Sequence, residues 1–151
     1  MKHFQAQLLV NADLATGWSV LTAFAEYPAW NPLLRRIRGE AMLGASLGLR
    51  VARKLGGDTT VFLPAKVRVC KPETELAWGG GVRGVLDVHH YFRFEPSGSG
   101  FRFVHGEIFS GVLVPILWPL IGARVRQENY EAVNETFRKR CEQLQGSQSK
   151  S

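Results

Sequence analysis

Three residues carry the chemistry this sequence could perform: His90, His105 and Glu107. Phe101, Phe103, His105, Glu107 and Phe109 alternate with Arg102, Val104, Gly106 and Ile108, and successive side chains on a strand point to opposite faces. The phenylalanine-bearing face is the one water should avoid, so His105 and Glu107 are expected to point inward. Leu86, Val88, His90, Phe92 and Phe94 form a second face of the same kind, opposed by Asp87, His89, Tyr91, Arg93 and Glu95. The turn-like stretch Pro96-Ser97-Gly98-Ser99-Gly100 makes the two runs neighbours. Any hairpin register that keeps both aromatic faces inward sets His90 opposite or diagonal to His105 and Glu107. A polar cluster inside an apolar cup is expected, with Trp78 on the next strand as part of its wall.

Imidazole beside carboxylate admits four uses. Leaving a buried polar group unpaired costs about 1–3 kcal/mol, so the cluster is first expected to satisfy its own hydrogen bonds and brace the floor of the cup. It could also orient a ligand's hydroxyl or carbonyl in a greasy cavity. It has the groups for general acid–base catalysis. A two-histidine, one-carboxylate metal site would need ligands converging from two flat strands. Neither a metal nor another cofactor is expected.

The elements that must position these residues follow from pattern. Phe4, Ala6, Leu8 and Val10 alternate with polar residues, as in a first strand. Asn11 and Asp13 offer N-caps for a helix from Leu14 to Phe24, with Gly17 as a weak point in its middle. Pro28 and Pro32 force two turns around Trp30 and Asn31. Six strands are then expected over 34–42, 45–54, 59–70, 74–80, 85–95 and 101–110, with Gly79-Gly80-Gly81 among the turns. Their short connections imply an antiparallel meander. The apolar run GVLVPILWPLIG leads into a long helix, ARVRQENYEAVNETFRKRCEQL, which carries Ile121, Val125, Val133, Phe137 and Cys141 at four-residue steps. Arg124 and Glu128 are spaced to pair on that helix.

The chain of 151 residues is long enough for one domain with a sizeable core. Residues 1–145 are expected to form it, and the small polar tail 146–151 to be disordered. A net charge of +6 permits an anionic partner without demanding one. Nucleic acid is an unlikely partner, because the basic residues are not interleaved with aromatics as in single-strand binders. Cys70 and Cys141 sit in different elements and outside any metal-binding spacing, which fits a reducing compartment. The N-terminus lacks an apolar signal region, and the 111–122 run is too short to span a bilayer. A soluble, cytoplasmic protein is expected.

The element order is joined by three local stretches: Tyr27-Pro28-Ala29-Trp30-Asn31-Pro32, Leu76-Ala77-Trp78-Gly79-Gly80 and His105-Gly106-Glu107-Ile108-Phe109-Ser110-Gly111. Together they resemble the START-like (SRPBCC) superfamily, in its polyketide cyclase/dehydrase-type branch. The resemblance implies an α+β helix-grip fold: a curved antiparallel sheet of about seven strands around a long C-terminal helix, with two short helices after the first strand. It also implies a hydrophobic cavity between sheet and helix. Members bind lipids, sterols, quinones or polyketides, and some catalyse cyclisation or aromatisation.

On that basis the chain is expected to bind a hydrophobic small molecule, lipid, quinone or polyketide-like, as a carrier or binding protein. The alternative is a cyclase, dehydratase or hydrolase-type enzyme with His90, His105 and Glu107 as its catalytic residues. The expected ligand contacts are Trp30, Trp78, His90, Phe92, Phe103, His105, Glu107 and Phe109 from the cup. Leu113, Leu117, Trp118, Val125 and Asn129 would add to them from the last third. The 111–121 run is either a buried crossover or an apolar gate that meets a membrane surface.

Overall fold

In the computed structural model, which describes residues 1–123 and 125–149, the chain begins with strand β1 (Lys2–Val10) and helix α1 (Leu14–Thr22). A 3-10 turn (Phe24–Glu26) and one helical turn, α2 (Tyr27–Trp30), follow. Six strands come next: β2 (Leu34–Arg38), β3 (Ser46–Ala52), β4 (Thr60–Lys71), β5 (Glu75–Val82), β6 (Leu86–Ser97) and β7 (Gly100–Ser110). Two helices close the chain, α3 (Val114–Ile121) and α4 (Gln127–Ser149).

The strands make one antiparallel sheet in the order β1-β7-β6-β5-β4-β3-β2. The meander from β2 to β7 follows from its short turns. The long excursion through α1 and α2 lets β1 return to pair with β7. The sheet curls around α4, whose Val133, Phe137 and Cys141 are buried against it. Trp78, Phe92, Phe94, Phe101 and Phe103 supply most of the sheet's inner face.

Local chemistry accounts for the corners. Asp13 caps α1 by accepting the Thr16 N–H at 2.7 Å. Asn31 Oδ1 accepts the N–H groups of Leu33 and Leu34 at 2.9 and 2.8 Å, which holds the turn into β2. Gly17, costly for a helix, is explained by packing: a Cβ there would lie 2.5 Å from the Phe101 ring. Gly17→Ala is therefore expected to lose about 1–3 kcal/mol to overpacking despite its better helix propensity. A urea titration checks it, and a stabilised variant would refute the close-approach explanation.

Several expected boundaries are corrected. Gly79-Gly80-Gly81 is not a turn but lies within β5, and the turn comes at Arg83–Val85. A side chain at Gly79 would collide with the Val88 carbonyl and the Arg68 guanidinium, so glycine serves close approach here. The apolar run is neither a crossover loop nor the start of the long helix. It is a helix of its own, with Pro115 in its first turn and Pro119 inside it. The long helix begins only at Gln127. The tail is helical through Ser149 rather than disordered from 146. Just before it, Gln145 Oε1 accepts from the Asp13 N–H and the Thr16 hydroxyl at the start of α1. Arg124, expected to pair with Glu128, lies outside the described residues; Arg126 pairs with Glu128. Among the described residues, no helix is long and apolar enough to cross a membrane.

Candidate functional site

The β6–β7 hairpin has the register that the aromatic faces demand. His90 stands directly opposite Glu107, and His105 opposite Phe92, one step along the same inner face. The three side chains meet. His90 Nε2 lies 2.7 Å from His105 Nε2, and His90 Nδ1 lies 3.4 Å from Glu107 Oε1. Helix α4 extends the chain at both ends. Tyr130 donates its hydroxyl proton to Glu107 Oε2 at 2.5 Å, and Asn134 Oδ1 lies 3.1 Å from His105 Nδ1. The result is a continuous polar relay, Asn134–His105–His90–Glu107–Tyr130, stretched between sheet and helix.

Aromatic rings enclose the relay. Trp78 stacks on His90 at 5.5 Å, and Phe92 stacks on His105 at 4.7 Å. His105 and Asn134 are fully buried, whereas the side chains of His90 and Glu107 keep 16% and 18% exposure. One end of the relay is thus sealed and its middle reaches the edge of solvent.

Burial, and then the neighbouring His90, push the His105 pKa well below the usual imidazole value. Burial works against the Glu107 charge, but His90 and the Tyr130 hydroxyl outweigh it and hold the carboxyl below its usual range. Burial and the Glu107 charge raise the Tyr130 pKa, so that hydroxyl remains a donor.

Two proton arrangements satisfy this chain. In the first, Asn134 Oδ1 accepts from His105 Nδ1–H, His105 Nε2 accepts from His90 Nε2–H, and His90 Nδ1–H faces Glu107, so His90 carries both ring protons. In the second, the Asn134 amide is turned so that Nδ2, otherwise buried without a partner, donates to His105 Nδ1. His105 Nε2–H then donates to His90 Nε2, and His90 needs only the proton facing Glu107. The arrangements differ by one proton and one amide rotation, and the rotation exchanges the Asn134–His105 hydrogen bond for one of opposite direction.

This environment sets a pH dependence. A histidine whose folded pKa is depressed binds fewer protons folded than unfolded, so its stabilisation is complete above the unfolded value of 6.5 and is lost as pH falls below it. Glu107 adds a loss of the same sign below about 4.5, as its lowered pKa is approached. His89, also lowered by burial, adds to the first window. Stability should fall from pH 6.5 downward by about 1.4 kcal/mol per pH unit for each such proton. Urea midpoints between pH 5 and pH 7 measure the slope. His105→Gln should flatten it, and an unchanged slope would show that His105 is not the source.

The other expected contacts divide. Phe109 packs edge-on against Phe4 and Trp118, and Phe4 stacks on Trp118 at 5.6 Å and on Tyr130 at 6.2 Å. This aromatic group adjoins Glu107, because Phe4 is its partner across β1. Leu117 is half-buried on α3, and Leu113 donates its N–H to the Val85 carbonyl at 2.9 Å. Val125 is half-buried between α3 and α4. Phe103 is core, stacked on Phe137 at 4.0 Å. Trp30 packs on Tyr27 and Phe137 at the far end of the grip, and its Nε1 is buried without a partner. The relay does not bring in Asn129, whose helix position is half-buried.

Sequence reasoning missed Tyr130 and Asn134. They lie on the helical row that continues through Phe137 and Cys141 at steps of three and four, and that row was the available signal. The direct nitrogen-to-nitrogen contact of His90 with His105 leaves no room for a metal between them. Among the described residues, no group of three or more metal-ligating side chains is placed to hold an ion. Two surface depressions, of about 340 and 400 Å³, open beside β2 outside the grip.

A curled seven-stranded antiparallel sheet gripping a C-terminal helix, with two short helices after its first strand, is the START-like (SRPBCC) architecture. The chain belongs to the polyketide cyclase/dehydrase and lipid transport family, whose model matches residues 1–142. Solved structures agree on the fold. The aromatase/cyclase Zhui from Streptomyces sp. R1128 aligns with a TM-score of 0.72 at 14% identity, covering 94% of each chain. A START superfamily protein from Mycobacterium smegmatis aligns at 0.68 and 18% identity, covering 94% of this chain and 98% of the other. The di-domain aromatase/cyclase StfQ of the steffimycin pathway aligns at 0.74 and 15% identity. This chain covers 95% of its own length there and spans about half, 52%, of that protein. No curated protein matches the sequence at a significant level.

Proposed function

We propose that this protein binds a hydrophobic small molecule, lipid, quinone or polyketide-like, at the open end of the grip. The observation that carries the reading is a gradient along the inner face of β6. Phe92 and Phe94 are buried, His90 is mostly buried, and Val88 and Leu86 are half-exposed. The face therefore passes from packed core, through the His90–Glu107 pair, to apolar side chains that are only partly covered. A ligand laid there would place its apolar body against Val88, Phe109 and Trp118 and its polar end at His90 and Glu107, which suits a site with few convergent polar groups. The family's description, which includes lipid transport, agrees with this use.

Native mass spectrometry of the purified protein, followed by solvent extraction, tests the reading. A co-purifying apolar molecule is expected, and Trp118→Phe, which keeps an aromatic ring against Phe4 and Phe109 but shortens the contact surface, is expected to lower its occupancy several-fold. Protein that stays ligand-free after incubation with fatty acids, quinones and aromatic polyketides would sink the reading.

A second reading, cyclase, dehydratase or hydrolase chemistry, is favoured by one observation. His90 sits at the solvent edge of the relay with a carboxylate facing its ring nitrogen, the pairing that general acid–base chemistry uses. Under it, wild-type protein changes the mass or the chromatographic retention of a bound ligand, and His90→Asn binds the same ligand without changing either. An unchanged ligand mass with an unchanged retention from both proteins is the carrier's result.

A further inference from the structure

The 340 Å³ depression lies on the outer face of β2–β4, lined by Arg36, Arg38, Gly48, Arg50, Thr60 and Phe62. Arg36 faces Arg50 directly across β2 and β3, and Arg38 faces Gly48. Like charges set opposite one another on a sheet are destabilising. No carboxylate offsets this repulsion: among the described residues, Arg36, Arg38 and Arg50 have no acidic partner. Arg35, at the rim, has one guanidinium nitrogen committed to the Asn31 carbonyl.

The floor is apolar and open. Gly48 leaves a gap beside Arg38 where a Cβ would press on the Phe62 ring at 3.0 Å. The Phe62 ring itself is 53% exposed, with the Arg50 guanidinium 5.2 Å above it. Arg36 and Arg38 also line the second depression, with Phe24 and Pro28 at its far side. Two hollows therefore share one ridge of guanidinium groups, each with an apolar wall beside it.

We propose that this outer groove is a second binding site, separate from the relay, for a phosphate group held by Arg36, Arg38 and Arg50, with the rest of the ligand lying on Phe62. Guanidinium groups match phosphate oxygens through paired N–H donors. A phosphate bound among three of them relieves the repulsion the free protein carries. Thr60 supplies a further hydroxyl donor at the rim. The phosphate can come from a soluble phosphorylated molecule or from a lipid headgroup, and the chemistry of recognition is the same.

Titration calorimetry with inorganic pyrophosphate probes the first source. Co-sedimentation with phosphatidylcholine vesicles, with and without phosphatidic acid, probes the second. The Arg36→Ala/Arg50→Ala double variant should weaken whichever association occurs by roughly tenfold or more. The charge-matched control Lys71→Ala/Arg83→Ala, at the far turns, should leave it within about twofold. Arg36→Lys/Arg50→Lys keeps the charge but loses the paired donors, and should also weaken binding, which covers a double-alanine variant that fails to fold. Binding to pyrophosphate identifies a soluble ligand, and binding only to phosphatidic acid vesicles identifies a headgroup. No binding to either probe, or equal weakening in the charge-matched control, overturns the site.

Discussion

Glu107→Ala is expected to destabilise this protein by about 3 kcal/mol and to lower its thermal midpoint by roughly 6–12 °C. Glu107 is the only acceptor shown for the Tyr130 hydroxyl and the carboxylate facing His90. Removing it leaves a mostly buried imidazole without the carboxylate facing its Nδ1 and a buried phenol without an acceptor. Breaking one side of a buried pair costs about 3–5 kcal/mol. The lower figure applies here because the side chains of His90 and Glu107 keep 16% and 18% exposure, so water can reach what the truncation leaves. Glu107→Gln, which still offers Tyr130 an oxygen, should lose less than Glu107→Ala. The double variant His90→Leu/Glu107→Leu should lose less than the sum of its single changes, since it removes charge from both sides at once. Chemical denaturation at pH 7 measures all of these. A loss below about 0.5 kcal/mol for Glu107→Ala would mean that the relay is wetter than its geometry and that its members do not depend on one another.

Phe137→Ala has the largest expected effect, about 3–5 kcal/mol. The ring is fully buried at the centre of the grip. It stacks on Phe103 at 4.0 Å and meets Phe94, Phe101 and Trp30 at 5.7–6.4 Å. Truncation removes the transfer free energy of the ring and leaves a cavity that rigid aromatic neighbours cannot close. The size of the loss also bears on function. If the space between α4 and the sheet is filled at this point, the full cost is expected and the ligand is confined to the open end near Trp118. A cost below about 1.5 kcal/mol would place an existing void against Phe137 and extend the binding site along the helix. Denaturant titration gives the number, and co-crystallisation of the variant with an aromatic solvent would show whether the new space is dry.

Some of this was legible in the residues alone. Strand parity is strictly local: side chains alternate whatever else the chain does, so Phe101 to Phe109 and Leu86 to Phe94 disclosed their inner faces without any partner. A short turn between them then left few registers, which is why His90, His105 and Glu107 could be brought together in advance. Short connections sufficed for an antiparallel meander, and the helix-grip fold came from the family resemblance of the element order and three local stretches.

The rotation of the last helix about its axis was not legible, because rows at steps of three and of four diverge and only contact with the sheet selects one. That choice made Tyr130 and Asn134 members of the relay and passed over Asn129. The boundary between α3 and α4 was equally hidden, since an apolar run with two prolines suits a loop as well as a separate helix. The arginine groove was beyond reach for a different reason. Arg36 and Arg50 become neighbours only through the register of β2 on β3, which the irregularity between Leu34 and Arg36 shifts and no aromatic face pins. Residue pattern determined which side chains face inward, and tertiary packing alone decided which of them touch.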